Sequence, residues 1–323
     1  MRAVVVHAAG RAPAFGDHPD PVAGAGQTLV RVTAVPVVPL DLLCASGTSY
    51  FGEPACPYVP GVQGVGVVEQ SDVIDTGTRV WFSTSAGMRP GDGGMAELCV
   101  VPDVDVVPIA AEPDDTTVAS LGLSAIAAWM CLTWKARLQP GETVIALGAG
   151  GAVGQSAIGA AQVLGAGRVV AVCRPGPSLE RARQAGADHV VAFTEDTDAL
   201  TAALREATGG SADVVVDPVF GTAATAAACV LGEHGRLVNL GGSSSDSAAF
   251  SSAILRSGSL EVLGYTNNSL SPEQRRAALT AILEHAAAGH IRVAHETWPL
   301  DRAEEAWARQ ASGEVDGRLV LVP

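Results

Sequence analysis

The chain has 323 residues, 48% of them hydrophobic and 17% charged, which is the make-up of two packed domains and excludes a disordered segment. A net charge of −14 argues against a phosphate-backbone partner, because nucleic-acid binders present basic surfaces. The six cysteines (Cys44, Cys56, Cys99, Cys131, Cys173, Cys229) are scattered without a Cys-x-x-Cys pair, and no apolar run approaches the ~18 residues of a membrane span. These features predict a soluble, cytoplasmic protein with reduced thiols that acts on a small molecule.

From residue 1 to about residue 120, short Val-rich runs ("RAVVVHA", "TLVRVTAV", "GVGVVEQ", "TRVWFS", "MAELCVVP") are broken by Gly, Pro and Asp. Many brief strands at near-regular spacing predict a barrel-like β unit. After residue 121 the texture changes. Apolar strands ("TVIAL", "RVVAV", "HVVAF", "DVVVD", "RLVNL") alternate with Ala-rich helical stretches near 153–164, 178–185, 197–207 and 222–231. Strands that are apolar throughout and separated by helices predict a parallel sheet covered on both faces. The tail adds "SLEVLGY", helices near 271–288 and 302–311, and a last strand "GRLVLVP". The expected fold class is α/β: a β-barrel domain from 1–121 and 265–323, with a doubly wound parallel sheet at 122–264 between them. The helical stretch 123–132 carries Trp129, which is read as core.

The first strand of the parallel sheet leads into Gly148-Ala149-Gly150-Gly151-Ala152-Val153-Gly154. Two glycine registers are possible. Read from Gly148, the third glycine of GxGxxG becomes Val153. Read from Ala149, the pattern is AxGxxG: Gly151 lets a pyrophosphate approach the backbone, and Gly154 lets helix and strand pack closely. The free N–H groups and dipole of the following helix complete an anion site. The acid that would hold an adenosine ribose is expected roughly 20 residues on. Cys173 and Arg174 stand there instead. Without a carboxylate nothing repels a 2′-phosphate, and Arg174 offers a planar donor fork with Ser178 and Arg181 close in sequence. NADPH is the expected cofactor.

These residues resemble the medium-chain dehydrogenase/reductase superfamily, in its zinc-free quinone oxidoreductase branch. The likeness spans nearly the whole chain: "MRAVVVH", "PYVPGVQGVGVVE", "GTRVWF", "GGMAELCVVP", "LQPGETVIALGAGGAVG", "AGADHVV" and "DGRLVLVP" follow in the family's order. The resemblance implies a GroES-like barrel domain and a Rossmann domain. It also implies pairing into a homodimer through the edge strand "SLEVLGY". Zinc alcohol dehydrogenases carry Gly-His-Glu where this chain has Gly61-Val62-Gln63. No Cys or His lies at 38–41 either, so no catalytic zinc is expected. The quinone reductases carry Asn-Pro-x-Asp where Val38-Pro39-Leu40-Asp41 stands, and Ala152 replaces a glycine of their loop.

A zinc-free site suits hydride transfer to a quinone or to a C=C conjugated with a carbonyl, where the protein positions, hydrogen-bonds and excludes water. The candidates for the hydroxyl role are Tyr50 and Ser49, in the loop where related reductases often carry a tyrosine. Tyr58 is read as packing. The resemblance further places Val219, Gly241, Gly242, Tyr265 and Asn267 beside the cofactor. Two other outcomes stay open: a pathway-specific reductive or cyclising enzyme, and a non-catalytic NADPH-binding protein.

Overall fold

The computed structural model describes every residue except Ala111 and Asp316. By contacts the chain divides into two units, Met1–Gly122 with Ala294–Pro323, and Leu123–Val293. Residues 265–293, assigned from sequence to the first domain, therefore cluster with the second.

The first unit contains β1 (Arg2–Val5), β2 (Ala14–Asp17), β3 (Gln27–Val37), α1 (Pro39–Ser46), β4 (Gln63–Gln70), β5 (Arg79–Ser83), β6 (Leu98–Pro102) and β7 (Val106–Pro108). α2 (Asp115–Met130) follows and is broken at Gly122, which is not helical. The chain order continues in the second unit with β8 (Thr143–Leu147), α3 (Ala152–Val163), β9 (Arg168–Cys173), α4 (Pro177–Gln184), β10 (His189–Ala192) and α5 (Thr197–Thr208). Then come β11 (Ala212–Asp217), α6 (Gly221–Ala228), β12 (Leu231–Asn239), α7 (Ser252–Ser257), β13 (Glu261–Gly264) and α8 (Pro272–Ala287). β14 (His295–Pro299), α9 (Ala303–Ser312) and β15 (Arg318–Val322) return to the first unit.

In the first unit a seven-stranded sheet runs β14-β15-β3-β4-β5-β7, with β6 also paired to β3, and all its pairs but β14–β15 are antiparallel. β3 is the longest strand and alternates buried with half-exposed positions along its first half, as a sheet with one covered face requires. The core is Val-rich, with Trp307, Tyr58 and Phe82 as its bulkiest members. Trp81 is fully buried nearby and donates its indole N–H to Gln63 Oε1 at 3.2 Å.

The second unit holds a six-stranded parallel sheet in the order β10-β9-β8-β11-β12-β13. Counted from β8 this is the doubly wound order 3-2-1-4-5-6, and its strand order reverses between β8 and β11. Strands such as β8 and β9 are buried almost end to end because helices cover both faces. The helices begin and end where local chemistry dictates. Asp196 caps α5 by accepting from the amides of Asp198 and Ala199, each at 3.0 Å, and α5 stops at left-handed Gly209. α8 opens with a Ser271/Gln274 capping box and Pro272 in its first turn.

Three sequence expectations shift. The predicted helix 222–231 ends at Ala228, since β12 already begins at Leu231. The short helix α7 was not foreseen. One helical stretch, Asp115–Lys135, is long and apolar enough to cross a membrane, contrary to the reading that no run approaches that length. Its apolar character has a packing use: Val118, Leu121, Ile126, Ala128 and Leu132 are fully buried.

Candidate functional site

The glycine loop lies at the C-terminal end of β8, beside the point where the strand order reverses, which is where open α/β sheets bind ligands. A Cβ added at Gly154 would sit 2.4 Å from Ala149 Cα and 2.7 Å from the Gly148 carbonyl oxygen, so α3 can lie on the strand only because this side chain is missing. At Gly151 an added Cβ would meet only the Gly148 oxygen, at 3.4 Å; the loop is open there. Close packing at 154 and open space at 151 are what the AxGxxG register demands. Gly151 is the N-cap of α3 and brings no side chain to satisfy the first-turn amides. Those N–H groups are the donors an anion would take.

Two side chains fix the loop from behind. Gln155 donates to the Gly150 carbonyl oxygen at 3.0 Å, and Arg181 Nε donates to the same oxygen at 3.1 Å. That carbonyl is thereby held away from the anion side. Gln155 was not singled out in the sequence; a glutamine on the buried face of an otherwise small-residue helix was the available signal.

At the end of β9, Cys173 is 3% exposed and its thiol donates to the Ser178 carbonyl oxygen at 3.4 Å. It packs against α4 and presents nothing to a ribose. The Ser178 hydroxyl is bonded to the Arg174 carbonyl oxygen, closing the turn between β9 and α4. Arg174 is exposed, and Arg181 is half-buried. Partial burial lowers the pKa of Arg181 and the charge of Arg174 lowers it further, so the two guanidinium groups lie within electrostatic reach of each other. No carboxylate answers them at Cys173. This pair is suited to an added phosphate.

The ends of β8, β11 and β12 come together. A Cβ at Gly148 would strike Val219 Cγ1 at 2.8 Å, and one at Gly241 would lie 2.9 Å from the Pro218 carbonyl oxygen. Gly242 is exposed on the same loop. Asp217, fully buried, accepts from the amides of Val219 and Phe220 at 3.0 and 2.7 Å and from Asn239 Nδ2 at 3.1 Å. Burial raises its pKa, and these donors oppose that rise. Asp217 and Asn239 shape this edge and were missed; the one acid ending the apolar run "VVVD" could have flagged the first. Tyr265 and Asn267 are engaged with each other, Tyr265 Oη donating to Asn267 Oδ1 at 2.6 Å, while Asn267 Nδ2 donates to the Leu123 carbonyl oxygen at 3.1 Å.

In the first unit, the two hydroxyl candidates diverge. Tyr50 is 80% exposed with its ring 4.1 Å from that of Phe51. Ser49 is buried, and its Oγ accepts from the Phe51 amide at 3.3 Å. Below them Asp41 is buried and accepts from the amides of Val38, Gly61 and Val62 at 2.9, 3.2 and 3.0 Å. Buried Arg318 donates to the Val37 carbonyl oxygen at 3.1 Å and sets its charge against that of Asp41.

The donors around Val62 do not fit a zinc ion. Val62 is buried and has no lone pair. The Asp41 oxygens are taken by peptide amides. Among the described residues no three His, Cys, Asp or Glu side chains converge on a point that could hold a metal.

Comparison with known proteins gives two family matches in chain order. Residues 24–111 match the alcohol dehydrogenase GroES-like domain, and residues 185–321 match the zinc-binding dehydrogenase family. The chain is 30% identical over 303 residues to a phenolphthiocerol/phthiocerol polyketide synthase subunit of Mycobacterium tuberculosis. That match takes in 91% of this chain but only 13% of the synthase polypeptide. It is 27% identical to a quinone oxidoreductase-like protein 2 homolog of Nematostella vectensis, across 92% of this chain and 82% of that one. Among solved structures, the quinone oxidoreductase of Thermus thermophilus, also solved in complex with NADPH, superposes with a TM-score of 0.81 at 27% identity. The superposition covers 100% of each of the two chains.

Proposed function

Since the chain belongs to the medium-chain dehydrogenase/reductase superfamily, in its quinone oxidoreductase-like branch, and is with that family an oxidoreductase, we propose that it is a zinc-independent, NADPH-dependent reductase. Its acceptor is a quinone or a C=C conjugated with a carbonyl. The observation that carries this reading is the open AxGxxG loop flanked by Arg174 and Arg181 with no ribose-binding acid. NADPH, when bound, supplies a hydride. The α3 N-terminus would hold its pyrophosphate, with Gln155 and Arg181 keeping the Gly150 carbonyl turned away. Arg174 and Arg181 would take the 2′-phosphate. Val219, Gly241 and Gly242, on the loops that Asp217 and Asn239 brace, would flank the rest of the dinucleotide.

On the acceptor side the chain's work is positioning and hydrogen bonding. The Val62 environment offers no Lewis acid to stabilise an alkoxide, so activated acceptors are favoured over plain alcohols. Tyr50→Phe is expected to lower turnover several-fold and leave NADPH affinity unchanged, read by steady-state NADPH oxidation and by titration. Unchanged turnover would transfer the hydroxyl role to Ser49, where Ser49→Ala becomes the deciding variant, or to water.

The test of the function itself is NADPH oxidation against a panel of small quinones and enones. Turnover with at least one of them supports the reading. NADPH binding without any turnover favours the non-catalytic alternative. The likeness to part of a polyketide synthase over 91% of the chain favours one second reading: reduction of a larger, pathway-specific unsaturated substrate. Idle small acceptors with a working larger one would select it. β13 is the edge of its sheet, with Val262 exposed, which suits strand-to-strand pairing of two copies. A monomeric mass in solution would contradict a homodimer.

A further inference from the structure

Of the chain's three tyrosines, one hydroxyl is left without a use. Tyr50 faces solvent, and Tyr265 donates to Asn267. Tyr58 is 3% exposed, and its hydroxyl has no hydrogen-bond partner. An unpaired hydroxyl in a protein interior destabilises the fold, so one that persists calls for a partner that arrives with function.

Its ring packs in the apolar core of the first unit, and its hydroxyl end meets the side chain of Cys44. Cys44 and Ser49 are buried in the same corner, and the Ser49 hydroxyl bonds the Cys44 sulfur. Tyr58 Oη and Cys44 Cβ meet beneath Gly87, where an added Cβ would fall 2.9 and 2.7 Å from them. Asp41 acts on both electrostatically, but its oxygens are taken by three peptide amides. Burial first, and then the charge of Asp41, raise the pKa of Tyr58, so at neutral pH it is a protonated donor.

We propose that Tyr58 donates its hydroxyl hydrogen bond to the carbonyl oxygen of the acceptor, in an oxygen-binding subsite that it forms with Cys44 and Ser49. The proposal rests on the reductase reading above. When the β-carbon of an enone gains hydride, the C=C electron pair moves through the conjugated system onto that oxygen. A fixed donor in a dry corner stabilises the charge, with no reorganisation needed. The α-carbon takes the balancing proton through the solvent-facing Tyr50 hydroxyl, which water reprotonates, and Tyr58 keeps its own.

The test is Tyr58→Phe, compared with the wild type for Tm, NADPH affinity, and kcat and KM on 2-cyclohexenone. The variant should melt about 2 °C higher, because a buried unpaired group has gone. NADPH affinity should not change, and kcat should fall about 10²-fold, the usual loss for one oxyanion donor. A higher Tm with unchanged kcat would overturn the proposal. A lower Tm would overturn it too, since the hydroxyl would then be bonded within the fold. If the wild type turns over no acceptor, the reductase reading fails separately. The unreactive ketone cyclohexanone then decides the subsite: it should raise the Tm of the wild type but not of the variant, and equal shifts reject the subsite.

Discussion

Arg318→Met is expected to cost about 3–5 kcal/mol of stability at neutral pH, measured as a lower urea midpoint, because it leaves a buried carboxylate without its compensating charge. Arg318 and Asp41 are both buried, and burial is the largest influence on each: it brings Arg318 down to about 10 and Asp41 up to about 6. Desolvation therefore outweighs their attraction, and the pair is retained for what it holds in place. Asp41 ties α1 to the 61–62 segment, and Arg318 ties β15 to the end of β3. The pH dependence has a defined sign. A carboxyl raised from 3.8 to about 6 contributes stability that is fully present below its unfolded value and lost as pH rises through 6. Removing the guanidinium raises Asp41 further, so the deficit of Arg318→Met should shrink as pH is lowered from about 7 towards 5. A deficit independent of pH would mean that Asp41 is not the group left uncompensated. Adding Asp41→Asn should recover part of the loss.

The second large effect belongs to the glycine loop. Gly154→Val should both destabilise the second unit and abolish detectable NADPH binding. Its Cβ would collide with backbone on two sides, Ala149 Cα and the Gly148 carbonyl, and neither can move without the strand. Gly151→Ala is the informative partner. Its Cβ meets nothing closer than 3.4 Å, and its φ of −89° suits alanine, so the fold should be untouched. NADPH affinity should still fall by about tenfold or more, since a methyl group would stand where the pyrophosphate approaches. Thermal melting and NADPH titration of both variants separate the two roles. Unchanged NADPH affinity in Gly151→Ala would reject the AxGxxG register as an anion cradle.

Much of this architecture was legible because it rests on local pattern. Five apolar strands separated by Ala-rich helices can bury both faces of a sheet in few ways, and the glycine spacing could be assigned from the packing each position must allow. The two arginines proposed as 2′-phosphate donors, Arg174 and Arg181, could be picked out from their place after the second strand. What the sequence hid is what tertiary contact decides. Cys173 looked like a ribose-side residue, but its thiol turns inward to Ser178. Tyr50 and Ser49 are neighbours in sequence and face opposite environments. The Asp41–Arg318 pair joins positions from opposite ends of the chain, so no local window could reveal it. Residues 265–293 also resist a local reading, because a strand end followed by a capped helix looks the same in either unit. Tyr58 reads as a packing aromatic until its hydroxyl is found buried and unpartnered.

The loop at 149–154 and the arginines beyond β9 are proposed to select NADPH. Fluorescence titration of the purified protein with NADPH and with NADH, repeated on Arg174→Ala, tests this most directly. NADPH should bind the wild type more tightly than NADH, and the loss in the variant should fall mainly on NADPH. Equal losses for both would remove Arg174 from the 2′-phosphate site. If neither dinucleotide binds the wild type, the glycine loop is only a turn, and the reductase function is contradicted with it.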